Sequence, residues 1–222
     1  MNLLISSVVV GIPLIVLVFG IERVKPRPRD LMPVIVLTAL AILGRVAAMP
    51  IPNFQPATAL IILAGFFFGR HAGLLSGMLV ALVSNIFMGQ GPWTPWQMLT
   101  WGLVGYGAGL LGDRVSWAQP HEVEPREPEK NRYTKRRRII LLAVVIIYGV
   151  VASLLFGMIM DVQFFVAYIW ESGWPGLVAT WMMGLPMNVA HAASTCIFLV
   201  LTLIPWGKKF HRLKTKYGIR SI

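Results

Sequence analysis

The chain has 222 residues, of which 56% are hydrophobic and only 13% charged, and its mean hydropathy is +0.70. A soluble domain carries about 25% charge, so a soluble core of this size cannot hide the apolar surface and lipid must solvate part of it. The net charge of +11 would point to nucleic acid in a soluble protein. Here it is read as the basic flanks that orient membrane spans, and no nucleic-acid partner is expected.

Seven apolar segments follow in chain order, at about 3–20, 31–49, 57–69, 72–88, 96–112, 138–160 and 177–204. The first has its basic residues after the apolar run, at Arg23, Lys25, Arg27 and Arg29. A cleaved signal peptide has them before it, so a retained span with the N-terminus outside is expected. The third segment is short. At 1.5 Å per residue it reaches only about 20 Å. Segment 113–138 is hydrophilic, with alternating acids and bases and three prolines, and reads as a cytoplasmic linker of low order. It divides the chain into five spans and two. The single cysteine, Cys196, lies in an apolar run and can form no intrachain disulfide.

The basic residues support this span count. Loop 21–30 holds four, Arg70 stands in the turn between the third and fourth segments, the linker holds eight and the tail after Trp206 holds six. With the N-terminus outside, nineteen of the twenty fall on the cytoplasmic side. The remaining one, Arg45, lies inside a span near its outer end. It is either a snorkelling residue or a buried polar anchor facing a cavity, with Asp161 and Glu171 as candidate partners.

Small residues recur four apart at Gly44/Ala48, Gly65/Gly69, Gly73/Gly77, Gly105/Gly109 and Ala108/Gly112. Such pairs let helix backbones approach closely in lipid. They serve either packing within the bundle or docking of a partner membrane protein. Gly44, Ala48, Gly65, Gly69, Gly73 and Gly77 are the candidate docking residues.

The three connections without Lys or Arg are rich in Trp, Phe, Pro, Asn and Gln. An aromatic interfacial belt accounts for Trp170 and Trp174. It does not account for Asn53, Gln55, Asn85, Gln90 and Gln97, because amides near membrane depth need partners. With Phe54, Trp93, Trp96 and Trp101 beside them, they suggest an outward-facing pocket for a neutral, amide-rich or ring-containing ligand. The last span adds Trp181, Gly184, Asn188, His191 and Thr195 at steps of three and four, along one helix face. Pro186 could kink that helix. Met182, Met183 and Met187 are either adaptable pocket lining or ordinary packing. There is no G-x-x-x-x-G-K-[ST], no H-E-x-x-H, no G-x-S-x-G and no pair of carboxylates in a span. A binding subunit is therefore favoured over a catalyst, with energy for any transport supplied by another protein. No metal and no cofactor of its own are expected.

The stretches GRVAAMPIPNFQP, ALIILAGFFFGRHAGLLSGMLVALVSNIFMGQGPWTPWQM and WGLVGYGAGLLGD resemble the substrate-binding S components of energy-coupling factor (ECF) transporters, bacterial vitamin importers of the ABC type. The resemblance implies an all-α integral membrane fold. A six-helix core over 31–204 would follow one extra N-terminal transmembrane helix in 1–30 and precede a basic cytoplasmic tail, 205–222. It implies localisation in the bacterial cell membrane with the C-terminus cytoplasmic. It also implies partners, a membrane scaffold and two cytoplasmic ATPase subunits, against which the loaded subunit topples. Ligand would enter under loops 49–56 and 89–96. Within the family, PNFQP and GQGPWTPWQM look most like the cobalamin-specific member, so cobalamin (vitamin B12) is the expected transported ligand, with other bulky vitamins and nucleobase precursors open.

Overall fold

The computed structural model describes Gly11, Ile15, Phe19, residues 25–115 and residues 127–222, with side chains from 139 onward in the last stretch. The expected extra span over 3–20 and residues 116–126 of the linker lie outside the described residues. Helix α1 runs Pro28–Ala47, α2 Ala57–Phe68, α3 Arg70–Met88 and α4 Trp93–Arg114. Helix α5 runs Glu127–Phe164, and α6 runs Gly173–Tyr217 after a π turn at Phe165–Ile169 and a 3-10 turn at Trp170–Ser172. The described residues contain no strand.

Among the described residues, three stretches are long and apolar enough to cross a membrane: Pro28–Ala47, Arg70–Met88 and Ile139–Tyr217. The last contains two antiparallel limbs, α5 and α6, whose facing residues pair in reverse order, Ser153 with Thr195 and Asp161 with Asn188. Two sequence expectations need correction. The second half of the linker is not a connection of low order, because α5 already begins at Glu127. The basic tail is not separate from the last span, because α6 continues through Pro205 to Tyr217.

Pro28 suits the start of α1, where a missing N–H costs nothing and φ is already set. Buried residues Val34, Leu37, Thr38, Ala41 and Arg45 then recur every three or four positions, one stripe turned toward the bundle. Met32, Ile35, Val36 and Leu43 stand on the opposite side, each more than half exposed. That is the surface lipid solvates.

Helix α2 occupies the centre, and all twelve of its residues are buried. Its length of about 18 Å falls short of a bilayer core of about 30 Å. Loop 48–56 leads into α2, with residues 49–52 exposed and 53–56 half-buried. Backbone groups at that depth need partners, and Ser194 of α6 supplies both: Gln55 N–H donates to its Oγ at 2.8 Å, and the hydroxyl donates to Gln55 O at 3.0 Å. At the other end, Gly69 alone turns the chain from α2 into α3 at φ 105°, a conformation that favours glycine.

Helices α2, α3 and α4 meet backbone to backbone. A Cβ on Gly65 or Gly73 would strike Gly105 O, one on Gly77 would strike Trp101 O, and one on Gly109 would strike the backbone of Arg70. The candidate docking role of these glycines is thereby corrected: Gly65, Gly73 and Gly77 are consumed by packing inside this chain. Gly69 lies against the Ile222 backbone and Gly44 against the Pro56 ring. Ala48 is half-buried at the end of α1.

The final residues fold back over the α2–α3 turn. Ile222 N–H donates to Phe68 O, and His71 N–H donates to Ile222 O, at 2.8 and 2.9 Å. Asp30 binds both Arg27 and the N–H of Arg220. Arg27, Arg70, Arg114 and the lysines of late α6 therefore share one end of the bundle. Arg45 lies at the other.

Candidate ligand-binding site

The end opposite the basic residues holds a buried polar and aromatic cluster to which all six helices contribute. From α1, Arg45 is 6% exposed. Its Nη1 donates to Ser84 Oγ and, at 2.8 Å, to Asn85 Oδ1 of α3. Its guanidinium lies 4.7 Å from the ring centre of Trp101 in α4, a cation–π contact. Asn85 Nδ2 donates onward to Thr94 Oγ1 at 2.9 Å and Gln97 Oε1 at 2.8 Å, and Thr94 donates to Gln90 Oε1. The alternative of a snorkelling Arg45 is thus excluded. So is pairing with Asp161 or Glu171: no ion pair of Arg45 exists among the described residues.

Among the described residues, Trp101 is the largest fully buried side chain. Its Nε1 donates to Thr58 Oγ1 of α2 at 3.0 Å, and Thr58 in turn pairs with His191 Nε2 of α6 at 2.7 Å. Phe156 of α5 stacks on Trp101 with centroids 4.7 Å apart and meets His191 edge-on at 5.2 Å. Asn188 Nδ2 donates to Asp161 at 2.8 Å. Glycines on the facing helices make room for this pair: Asn188 occupies the space a Cβ on Gly157 would need, and Asp161 the space above Gly184.

Of the residues expected from sequence, Arg45, Asn85, Gln90, Gln97, Trp101, Asn188 and His191 fall within this cluster or on its rim. Loop 48–56 runs beside it and is tied to α6. Asn53, in the left-handed region that Asn tolerates, donates to Met187 O at 3.2 Å, and Phe54 packs on Phe198 at 5.5 Å. The side chains of Gln55, Trp93 and Trp96 are half-buried, and Trp93 folds over Gly91. Trp181 reaches across to Met158 O at 3.2 Å. Its stripe through Thr195 faces α5, where Asp161 lies over Gly184, Asn188 over Gly157, and Ser153 donates to Thr195. The methionines do not line the cluster: Met182 and Met183 are 66% and 82% exposed and point away from the bundle, and Met187 is half exposed.

Sequence reasoning missed Thr58, Ser84, Thr94 and Phe156 as members of this region. Thr58 and Ser84 are the kind of hydroxyl that hides easily in an apolar run. Asp161, singled out as a candidate partner of Arg45, instead accepts from Asn188.

The family model described as ECF-type riboflavin transporter, S component, matches residues 28–204. No solved structure matches the chain. The matched region begins where α1 begins and takes in every helix that contributes to the cluster. The match corrects the expectation of the cobalamin-specific member, since its description is of riboflavin transport. With most of the chain matched, the protein belongs to the S components of ECF transporters, which are substrate-binding subunits and not enzymes.

Proposed function

We propose that the chain captures a flat, ring-containing vitamin of the riboflavin type at the end free of Lys and Arg, and delivers it by toppling against an ECF scaffold driven by two ATPase subunits. The observation that carries this reading is the six-helix convergence of Arg45, Ser84, Asn85, Thr94, Gln97, Thr58, His191 and Asn188 around the Trp101–Phe156 stack. Aromatic faces suit a planar heterocycle. Amides and hydroxyls in both donor and acceptor roles suit its polar edge. Such a concentration of polar groups in a membrane interior is costly unless it has a use.

Loop 48–56 acts as the cover. Its anchors to α6 are few and breakable, a hydroxyl, one amide and one ring contact, so opening it exposes the cluster without unfolding a helix. The end bearing the lysines and arginines faces the cytoplasm, as the positive-inside rule requires, and the cluster faces outward. The motion then carries the ligand from one side to the other.

The experiment is uptake in a riboflavin auxotroph expressing this chain with or without an energy-coupling module. Growth on limiting riboflavin that requires both supports the proposal. Growth on no vitamin, or rescue of a cobalamin auxotroph and not the riboflavin one, overturns the proposed ligand class.

A further inference from the structure

Among the described residues, two buried side-chain polar atoms have no hydrogen-bond partner: Arg45 Nε and Gln163 Nε2. Both are donors. No buried side-chain oxygen is left over in the same way. Arg45 and Gln163 are 6% and 4% exposed, so water does not reach them freely. The orphan of Arg45 lies on the side edge of the guanidinium, because Nη1 is engaged by Ser84 and Asn85. That side edge is the fork that donates to a planar pair of oxygens. Gln163 stands seven residues beyond Phe156 on α5, hence on the same helix face and about 10.5 Å farther along.

An unmet buried donor destabilises a fold, and a buried cation without a counter-charge does so more strongly. Spare donors without spare acceptors are complementary to one kind of molecule. Resting on the binding-subunit reading above, we infer that the ligand's buried edge carries acceptor oxygens (ring carbonyls, a carboxylate or a phosphate) that are received by Arg45 at one end and Gln163 at the other. Arg45 takes the more negative of them. A ligand whose buried edge is made of donors would leave both groups unmet and be rejected.

The test uses the purified full chain and riboflavin, which carries two ring carbonyls, as the probe. Gln163→Leu removes a donor that nothing in the protein uses. Its ligand-free thermal midpoint is expected to stay unchanged or rise, while riboflavin affinity falls about tenfold. Arg45→Met is expected to weaken binding about a hundredfold, with part of the loss recovered in Arg45→Lys, which keeps the charge without the fork. A lowered midpoint in Gln163→Leu, or affinity unchanged in Arg45→Met, overturns the inference. If the unmodified protein binds no riboflavin, the flavin reading falls, and the midpoint of Gln163→Leu alone decides this one: a drop refutes it, and an unchanged or raised midpoint supports it.

Discussion

The two ends of the bundle solve opposite problems. Toward the basic end, α2, α3 and α4 touch through glycines at 65, 73, 105 and 109, with main-chain atoms where side chains would be. In lipid, where burial of apolar groups offers helices no advantage over contact with acyl chains, such close approach is what holds them. Toward the other end the helices meet through Arg45, Asn85, Thr58 and Trp101, and side-chain hydrogen bonds take over from backbone contact. One end has no room for a methyl group. The other holds donors that the protein itself does not satisfy. A rigid seam thus supports an adaptable, polar mouth.

Trp101 belongs to both regions, since its backbone carbonyl closes on Gly77 and its ring fills the cluster. Trp101→Ala should therefore have the largest effect, a loss of about 4 kcal/mol in equilibrium unfolding monitored by circular dichroism, together with loss of binding. Gly105→Ala should follow at about 3 kcal/mol, because its Cβ meets the Gly73 backbone, which cannot yield. Gly157→Ala displaces only the Asn188 side chain, so a cost equal to that of Gly105→Ala would break the distinction between seam and mouth. Thr58→Val should cost about 2 kcal/mol by leaving Trp101 Nε1 and His191 without their shared partner. The smallest effect is expected from Ser194→Ala. It frees the backbone of Gln55, costs about 1 kcal/mol, and speeds ligand association measured by stopped flow as the cover loosens.

Much of this architecture was legible in the sequence. The shortness of α2, the glycine spacing and the partition of basic residues are one-dimensional signals that survive folding. Contact partners are not of that kind. The Gly-x-x-x-Gly pairs announce close approach but not which helix approaches, and Gly65, Gly73 and Gly77 turned out to meet α4 and not another protein. Arg45 was conspicuous as a lone cation in a span, yet its partners Ser84 and Asn85 stand about forty residues away and are neutral, where a search for charge complements named Asp161 and Glu171. The methionines near Pro186 left pocket lining and ordinary packing equally open in the sequence. Their exposure places them on the lipid side, which the helical period alone could have indicated. The ligand class was the least legible, since amides and aromatics serve many ring systems.

The central claim is that the cluster around Trp101 is a binding site for a planar, acceptor-bearing vitamin. Titration of the purified chain with riboflavin, followed through quenching of flavin emission, tests it most directly. The account predicts saturable one-to-one binding with a Kd of about 1 μM or tighter, abolished in Trp101→Ala and weakened in Arg45→Met. Absence of saturable quenching in correctly folded protein, or binding that both substitutions leave unchanged, would contradict it.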